Sequence, residues 1–198
     1  MLRGVSRFTW LSLLAAVVVL SAAGVYFFVL RPAAPVAGTE LNSPVAVSGL
    51  DLVNHRGQAV DLADDFSGDV TLVFFGYTRC PDICPLTMAR LAQAYSKLET
   101  TDGLSVVMVT VDPGHDTPEV LGAYVQRFHP DFVGLTGSNS QVAEAAKAFF
   151  VGFAGEAPTV AHTDMVMVLD RSGNMRYMYG TDAVINIGDD LPGLLRRL

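Results

Sequence analysis

The sequence predicts an α/β domain with a largely parallel sheet, carried behind one membrane-spanning helix. Three observations lead there. Segments of strand and helix character alternate from Val70 onward, the pattern of a sheet wrapped by helices. The segment Val70-Thr-Leu-Val-Phe-Phe75 is apolar almost without break, as a strand covered on both faces must be. And 23 residues, Phe8 to Leu30, carry no charge.

That charge-free run includes Leu11-Ser-Leu-Leu-Ala-Ala-Val-Val-Val-Leu20. As a helix rising ~1.5 Å per residue it spans roughly 35 Å, enough for a tilted crossing of a bilayer. Trp10 and Tyr26-Phe27-Phe28 put aromatics near both interfaces. Ser21-Ala22-Ala23 offers a signal-peptide cleavage site as the rival reading, but seven more apolar residues follow it. Both readings export everything from Pro32 onward, because Arg3 and Arg7 hold the N-terminus inside. The organisation expected is an anchor over residues 1–31, a Pro/Ala-rich tether over 32–44 and a folded domain over 45–198.

Within the domain, Val45–Val53 and Gln58–Leu62 flank Asn54-His55-Arg56-Gly57 as the arms of an N-terminal β-hairpin. Val70–Phe75 is the first core strand. A helix is expected from about Pro85 to Leu98, with Met88, Leu91, Tyr95 and Leu98 on one face and Pro85 in the first turn. Leu104–Val111, dense in β-branched residues, is the next strand. Thr117-Pro118-Glu119 opens a helix with a capping hydroxyl, a first-turn proline and an acid. Its buried face is Val120, Leu121, Tyr124, Val125 and Phe128. A strand near Phe132–Leu135, a helix from about Ser140 to Phe150 and a strand over Asp164–Leu169 follow. Arg171-Ser-Gly-Asn174 turns back into Met175–Tyr179, adding antiparallel edge pairing. A last helix covers about Ile187–Arg197, with a break expected at Pro192-Gly193. This order, with two cysteines between the first core strand and the first helix, is the thioredoxin-like arrangement.

Charge narrows the function. Three of the 13 basic and one of the 20 acidic residues fall in residues 1–40, so the remainder holds ten against nineteen. Such a surface repels phosphate backbones and argues against nucleic acid as a partner.

The chemistry lies in Gly76-Tyr-Thr-Arg-Cys80-Pro-Asp-Ile-Cys84-Pro85. A disulfide closing so short a loop constrains the unfolded chain little, so stabilisation is a weak reason for these two cysteines. Two thiols at a helix N-terminus meet its positive dipole end, which favours thiolate, both the nucleophile and the soft-metal ligand. Redox motifs of the thioredoxin type have two residues between the cysteines; here there are three, which lets both sulfurs face one ion while still permitting a disulfide. Metal site, redox dithiol and structural disulfide all stay open on spacing. A metal wants a third ligand, and His162 stands just before the strand that a thioredoxin-like fold brings beside the cysteines. Thiolates suit Cu(I) and an added imidazole keeps Cu(II) accessible, whereas structural zinc would need a fourth ligand that is not evident.

With its flanks, the cysteine segment resembles the Sco/SenC family, membrane-anchored copper-delivery proteins for cytochrome c oxidase. The matching text is Phe75-Gly-Tyr-Thr-Arg-Cys-Pro-Asp-Ile-Cys-Pro85, Thr110-Val-Asp-Pro113, Asp116-Thr-Pro-Glu119, Phe132-Val-Gly-Leu-Thr-Gly137 and His162-Thr163, spread over about residues 45–198. The resemblance implies copper, Cu(I) or Cu(II), held by Cys80, Cys84 and His162. Asp112 is implied near the site as a supporting residue or occasional ligand. It also implies copper delivery to the dinuclear site of oxidase subunit II or, alternatively, thiol–disulfide reduction of that site's cysteines by the redox pair Cys80 and Cys84. Other periplasmic copper chaperones are implied as possible partners, and the setting is a single-pass protein of the bacterial inner membrane with its domain in the periplasm. A peroxiredoxin-like peroxidase is disfavoured, because no separate peroxidatic cysteine exists. Two departures stand out: Gly114-His115 replaces charged residues, and Asp164 puts an acid where an apolar strand residue is common.

Plainer readings sit beside these. Asp112-Pro113 can simply shape a turn; His55, His115 and His129 lie beside turn residues and read as solvated. Met165 and Met167 alternate on one strand face as core residues do, and Tyr77 reads equally as packing or as cover for the site. Asp82 either adjusts the charge of the loop or faces water.

Overall fold

The computed structural model describes residues 7–26, 36–154, 161–162 and 164–198. The chain divides between Pro35 and Val36 into two compact units. In the first, α1 (Arg7–Val25) is a 19-residue helix on which Trp10, Leu11, Leu14 and Val17–Leu20 are exposed. Among the described residues no helix is long and apolar enough to cross a membrane. The charge-free run of the sequence continues past them to Leu30.

The second unit is built on an eight-stranded mixed sheet. Its strands are β1 (Thr39–Ala46), β2 (Asp51–Asn54), β3 (Ala59–Asp61), β4 (Val70–Gly76), β5 (Leu104–Thr110), β6 (Val133–Thr136), β9 (Met165–Leu169) and β10 (Asn174–Gly180), in the spatial order β1-β10-β9-β4-β5-β6-β2-β3. Helices α2 (Ile83–Ser96), α3 (Pro118–Val125), α4 (Asn139–Ala148) and α5 (Ile187–Arg197) join or follow them. A separate two-stranded ribbon, β7 (Phe153–Ala154) with β8 (Ala161–His162), pairs Phe153 with His162.

Only β4, β5 and β6 run parallel. Both sides of that trio are antiparallel, through β9 and β10 on one flank and the β2–β3 hairpin on the other. Every residue of β4 is buried, which is why its sequence has no polar alternation. The crossovers β4–α2–β5 and β5–α3–β6 advance in one direction across the sheet, and right-handed connections then put α2 and α3 on one face. Contacts agree: Cys84 of α2 and Leu121 of α3 lie against Gly76 and Gly134, whose strand partners place both on the Phe74–Met108 face. Helix α5 packs on α2, while Phe149 at the end of α4 meets Phe75 on the other face, ring centroids 5.3 Å apart.

The structure differs from the sequence reading in four places. Residues 39–44, given to a tether, belong with Val45 and Ala46 to edge strand β1, paired with β10. Pro44 has no N–H to donate, and the pairing is irregular between Glu40 and Val45, so a polar, proline-bearing edge strand hid in tether-like text. The hairpin's first arm therefore starts at Asp51 rather than Val45. Helix α2 begins at Ile83, two residues before the expected Pro85, which brings Cys84 into its first turn. Pro192 stands inside an unbroken α5, whose Leu191 and Leu194 are fully buried and whose Asp189, Asp190, Arg196 and Arg197 complement the helix dipole. The Thr117 cap is present as expected, its hydroxyl accepting from Val120 N–H.

Candidate metal centre

The cysteine loop starts where β4 stops. Gly76 closes the strand, and its carbonyl takes the Val111 N–H at 2.8 Å, tying the ends of β4 and β5 together. A Cβ at Gly76 would stand 2.7 Å from Phe74 Cε1 and 3.1 Å from Cys84 Sγ, so glycine is what lets the buried sulfur lie against the strand. The loop turns at once: Cys80 N–H donates to the Tyr77 carbonyl at 3.2 Å.

A buried carboxylate holds that turn. Asp116 is fully enclosed. Its Oδ2 accepts from Thr78 N–H at 3.0 Å and from the Thr110 hydroxyl at 2.6 Å, while Oδ1 accepts from the Thr78 hydroxyl at 2.5 Å. One side chain thus pins the cysteine loop to the end of β5. Sequence pattern assigns Asp116 no role of this kind; its only local signal is an acid beside a helix cap, close after the Thr110-Val-Asp-Pro113 turn.

Cys80 is half-buried and Cys84 fully buried, and neither is in a disulfide. The Cys84 N–H, in the first turn of α2, donates to Cys80 Sγ at 3.4 Å. This places the two cysteines together as the spacing predicts, but in unequal surroundings. Burial pushes the Cys80 thiol up; the Cys84 side chain and N–H, the Asp82 N–H and the Tyr77 hydroxyl outweigh it and hold Cys80 below the ordinary thiol value. Burial drives Cys84 strongly upward instead, and the neighbouring Cys80 adds to the rise. The expectation that the helix N-terminus favours thiolate at both positions therefore holds for Cys80 only. Enclosure overrides the dipole at Cys84.

Asp112 is not merely a turn former. Its Oδ2 pairs with Arg79 Nη2 at 2.8 Å, one residue from Cys80, and its N–H donates to Thr110 Oγ1. Tyr77 is buried with its hydroxyl on Cys80, so it is both packing and cover. Asp164 lies just before β9 rather than in it; its Oδ2 accepts from the Thr181 hydroxyl at 2.6 Å, and its charge is felt at Cys84. His55 and His129, read as solvated, are packed instead. His55 Nδ1 accepts from Gly134 N–H at 3.2 Å, and His129 packs against the rings of Tyr95 and Phe132, which also touch each other. His115 is exposed. Met167 is in the core and Met165 at its margin.

The backbone of His162 is in β8, while its side chain and all of Thr163 lie outside the described residues. Among the described residues, no three His, Cys, Asp or Glu side chains gather as a metal site.

The SCO1/SenC family model matches residues 40–187, which takes in the last five residues, 40–44, of the stretch expected to be tether. The human protein "SCO2 homolog, mitochondrial" is 41% identical over 138 residues, 65% of this chain and 52% of that protein. The solution structure of apo Sco1 from Thermus thermophilus matches with a TM-score of 0.73 at 37% identity, over 81% of this chain and 98% of that one. The crystal structure of Arabidopsis thaliana ScoI with copper bound gives 0.71 at 28% identity, over 78% and 99%. The chain spans about half the length of the mammalian relatives it matches.

Proposed function

The chain belongs to the SCO1/SenC family, and from that premise we propose that it is a copper metallochaperone for cytochrome c oxidase, delivering the metal to the dinuclear copper site of subunit II. Copper is its ligand, as in the Arabidopsis relative. The observation that carries the reading is the pair Cys80 and Cys84, brought together at the head of α2 by a loop that Asp116 pins in place.

Copper is cargo, so the site must both hold it and release it. Cys80 and Cys84 supply two soft sulfurs, and loading displaces their thiol protons. His162 supplies the third ligand in this reading. Asp164 is close enough to Cys84 to affect it electrostatically, and two residues of extended chain reach at most ~7 Å, which keeps the His162 backbone in the same neighbourhood. Release then runs outside in. An acceptor thiolate replaces the more accessible Cys80 first and buried Cys84 last, copper changing ligands without changing oxidation state. Asp112 acts from behind by holding Arg79 beside Cys80. The N-terminal run Phe8–Leu30, with Arg3 and Arg7 inside, anchors the protein in the bacterial inner membrane and leaves this domain in the periplasm.

A second reading has its own support. A half-buried cysteine of lowered pKa followed by a fully buried one of raised pKa is the division of labour of a thiol–disulfide reductase, with Cys80 attacking and Cys84 resolving. His162→Ala separates the two. A chaperone loses Cu(II) more than Cu(I), and cells carrying the variant lose oxidase copper loading, partly restored by added copper. A reductase keeps oxidase assembly with His162→Ala and loses it with Cys80→Ser or Cys84→Ser. Full oxidase activity with His162→Ala, at normal protein level and without extra copper, overturns the chaperone reading.

A further inference from the structure

An open groove of about 510 Å³ runs between the cysteine loop and α3. Thr78 and Arg79 form one wall; Val120, Tyr124 and Arg127 form the other, with His115 also on the lining. The chain carries a net charge of −7, yet among the described residues no acidic side chain lines this groove. Two carboxylates beside the groove are already engaged, Asp112 by Arg79 and Asp116 by its three buried bonds, while the exposed Glu119 precedes Val120 at the head of α3. Arg127 is exposed, stacked over the Tyr124 ring at 4.9 Å, and has no carboxylate partner among the described residues. Beneath it, the Tyr124 hydroxyl is buried without a hydrogen-bond partner among the described residues.

Thr78 and Arg79 immediately precede Cys80, so the groove borders the cysteine loop and a molecule seated in it lies beside that loop. A cationic groove within an acidic surface then orients what arrives, since like charge elsewhere repels a wrongly turned acidic partner. We propose that this groove docks an acidic segment of the copper acceptor, with a carboxylate received by Arg127. The inference rests on the delivery reading above, because the acceptor is the protein that takes the metal.

The test uses the full-length protein in detergent micelles and, as probe, oxidase subunit II with its copper site empty and reduced. Complex formation and copper transfer are measured separately, at low and at high salt. Arg127→Glu should weaken the complex roughly tenfold at low salt and flatten its salt dependence. Lys97→Glu makes the same charge change about 20 Å along α2 from Cys84 and should alter binding less than twofold. Should the reversal disturb folding, Arg127→Gln should still weaken binding about threefold. Equal effects of Arg127→Glu and Lys97→Glu would reduce the matter to net charge and overturn the groove. So would wild-type affinity in both Arg127 variants, or no complex with the unaltered protein. A complex that forms through Arg127 but passes no copper supports the groove and overturns delivery instead.

Discussion

Asp116 gives the sharpest test of how the site is held. Asp116→Ala removes three accepted hydrogen bonds. The Thr78 hydroxyl belongs to a half-buried residue and can turn to water, but the Thr78 N–H and the enclosed Thr110 hydroxyl lose their acceptor. Each buried group left unpaired costs about 1–3 kcal/mol, so the variant should lose roughly 4 kcal/mol of stability, a large part of what a domain has. Asp116→Asn makes the comparison decisive. Its carbonyl can take the Oδ2 position and keep both of those donors, while its amide donates to the Thr78 hydroxyl, so it should lose only about 1 kcal/mol. Urea unfolding read at constant slope measures both changes. The rate of Cys80 alkylation below the transition reports whether the loop has come loose; it should change in Ala and stay near wild type in Asn. An Ala variant within 1 kcal/mol of wild type, or an Asn variant as unstable as Ala, would refute the reasoning.

Three further outcomes follow from the same geometry. Gly76→Ala drives a methyl into Phe74 and Cys84 Sγ and should cost about 1–3 kcal/mol while weakening copper binding; Gly180→Ala, with nothing within 4 Å, should do neither, and matching behaviour of the two would count against the packed sulfur. Iodoacetamide should modify Cys80 alone in the folded protein. Because its thiol sits below the ordinary value, the rate should already climb at pH below the free-thiol inflection, whereas Cys84 stays protonated and shielded; equal labelling of both contradicts the asymmetry. In cells the full chain should fractionate with the inner membrane, and a reporter fused after Leu198 should work only outside the cytoplasm.

What the sequence discloses about this site, and what it conceals, divides along one line. Local text was legible: the buried strand before the cysteines, the Thr117 cap, the hairpin turn at Asn54–Gly57 and the cysteine pair at a helix head all follow from short-range pattern. Edge strand β1 was not, because an edge needs neither apolar alternation nor every N–H, and Pro44 suits it as well as it suits a tether. Nor was the role of Asp116, whose partners Thr78 and Thr110 stand 38 and 6 residues away and meet it only once β4 and β5 are aligned. The two cysteines carry the point further. Cys-Pro-Asp-Ile-Cys-Pro reads almost alike from either sulfur, and a dipole argument treats both the same. What separates them is that Cys84 faces back onto Gly76 and the core while Cys80 faces out beside Arg79 and Tyr77. Burial depends on where the helix axis crosses the sheet, which no six-residue window encodes. A sulfur pair with one member half-buried and one fully enclosed is therefore a tertiary property, and under the proposed function it is this inequality that would give copper release or thiol exchange a direction.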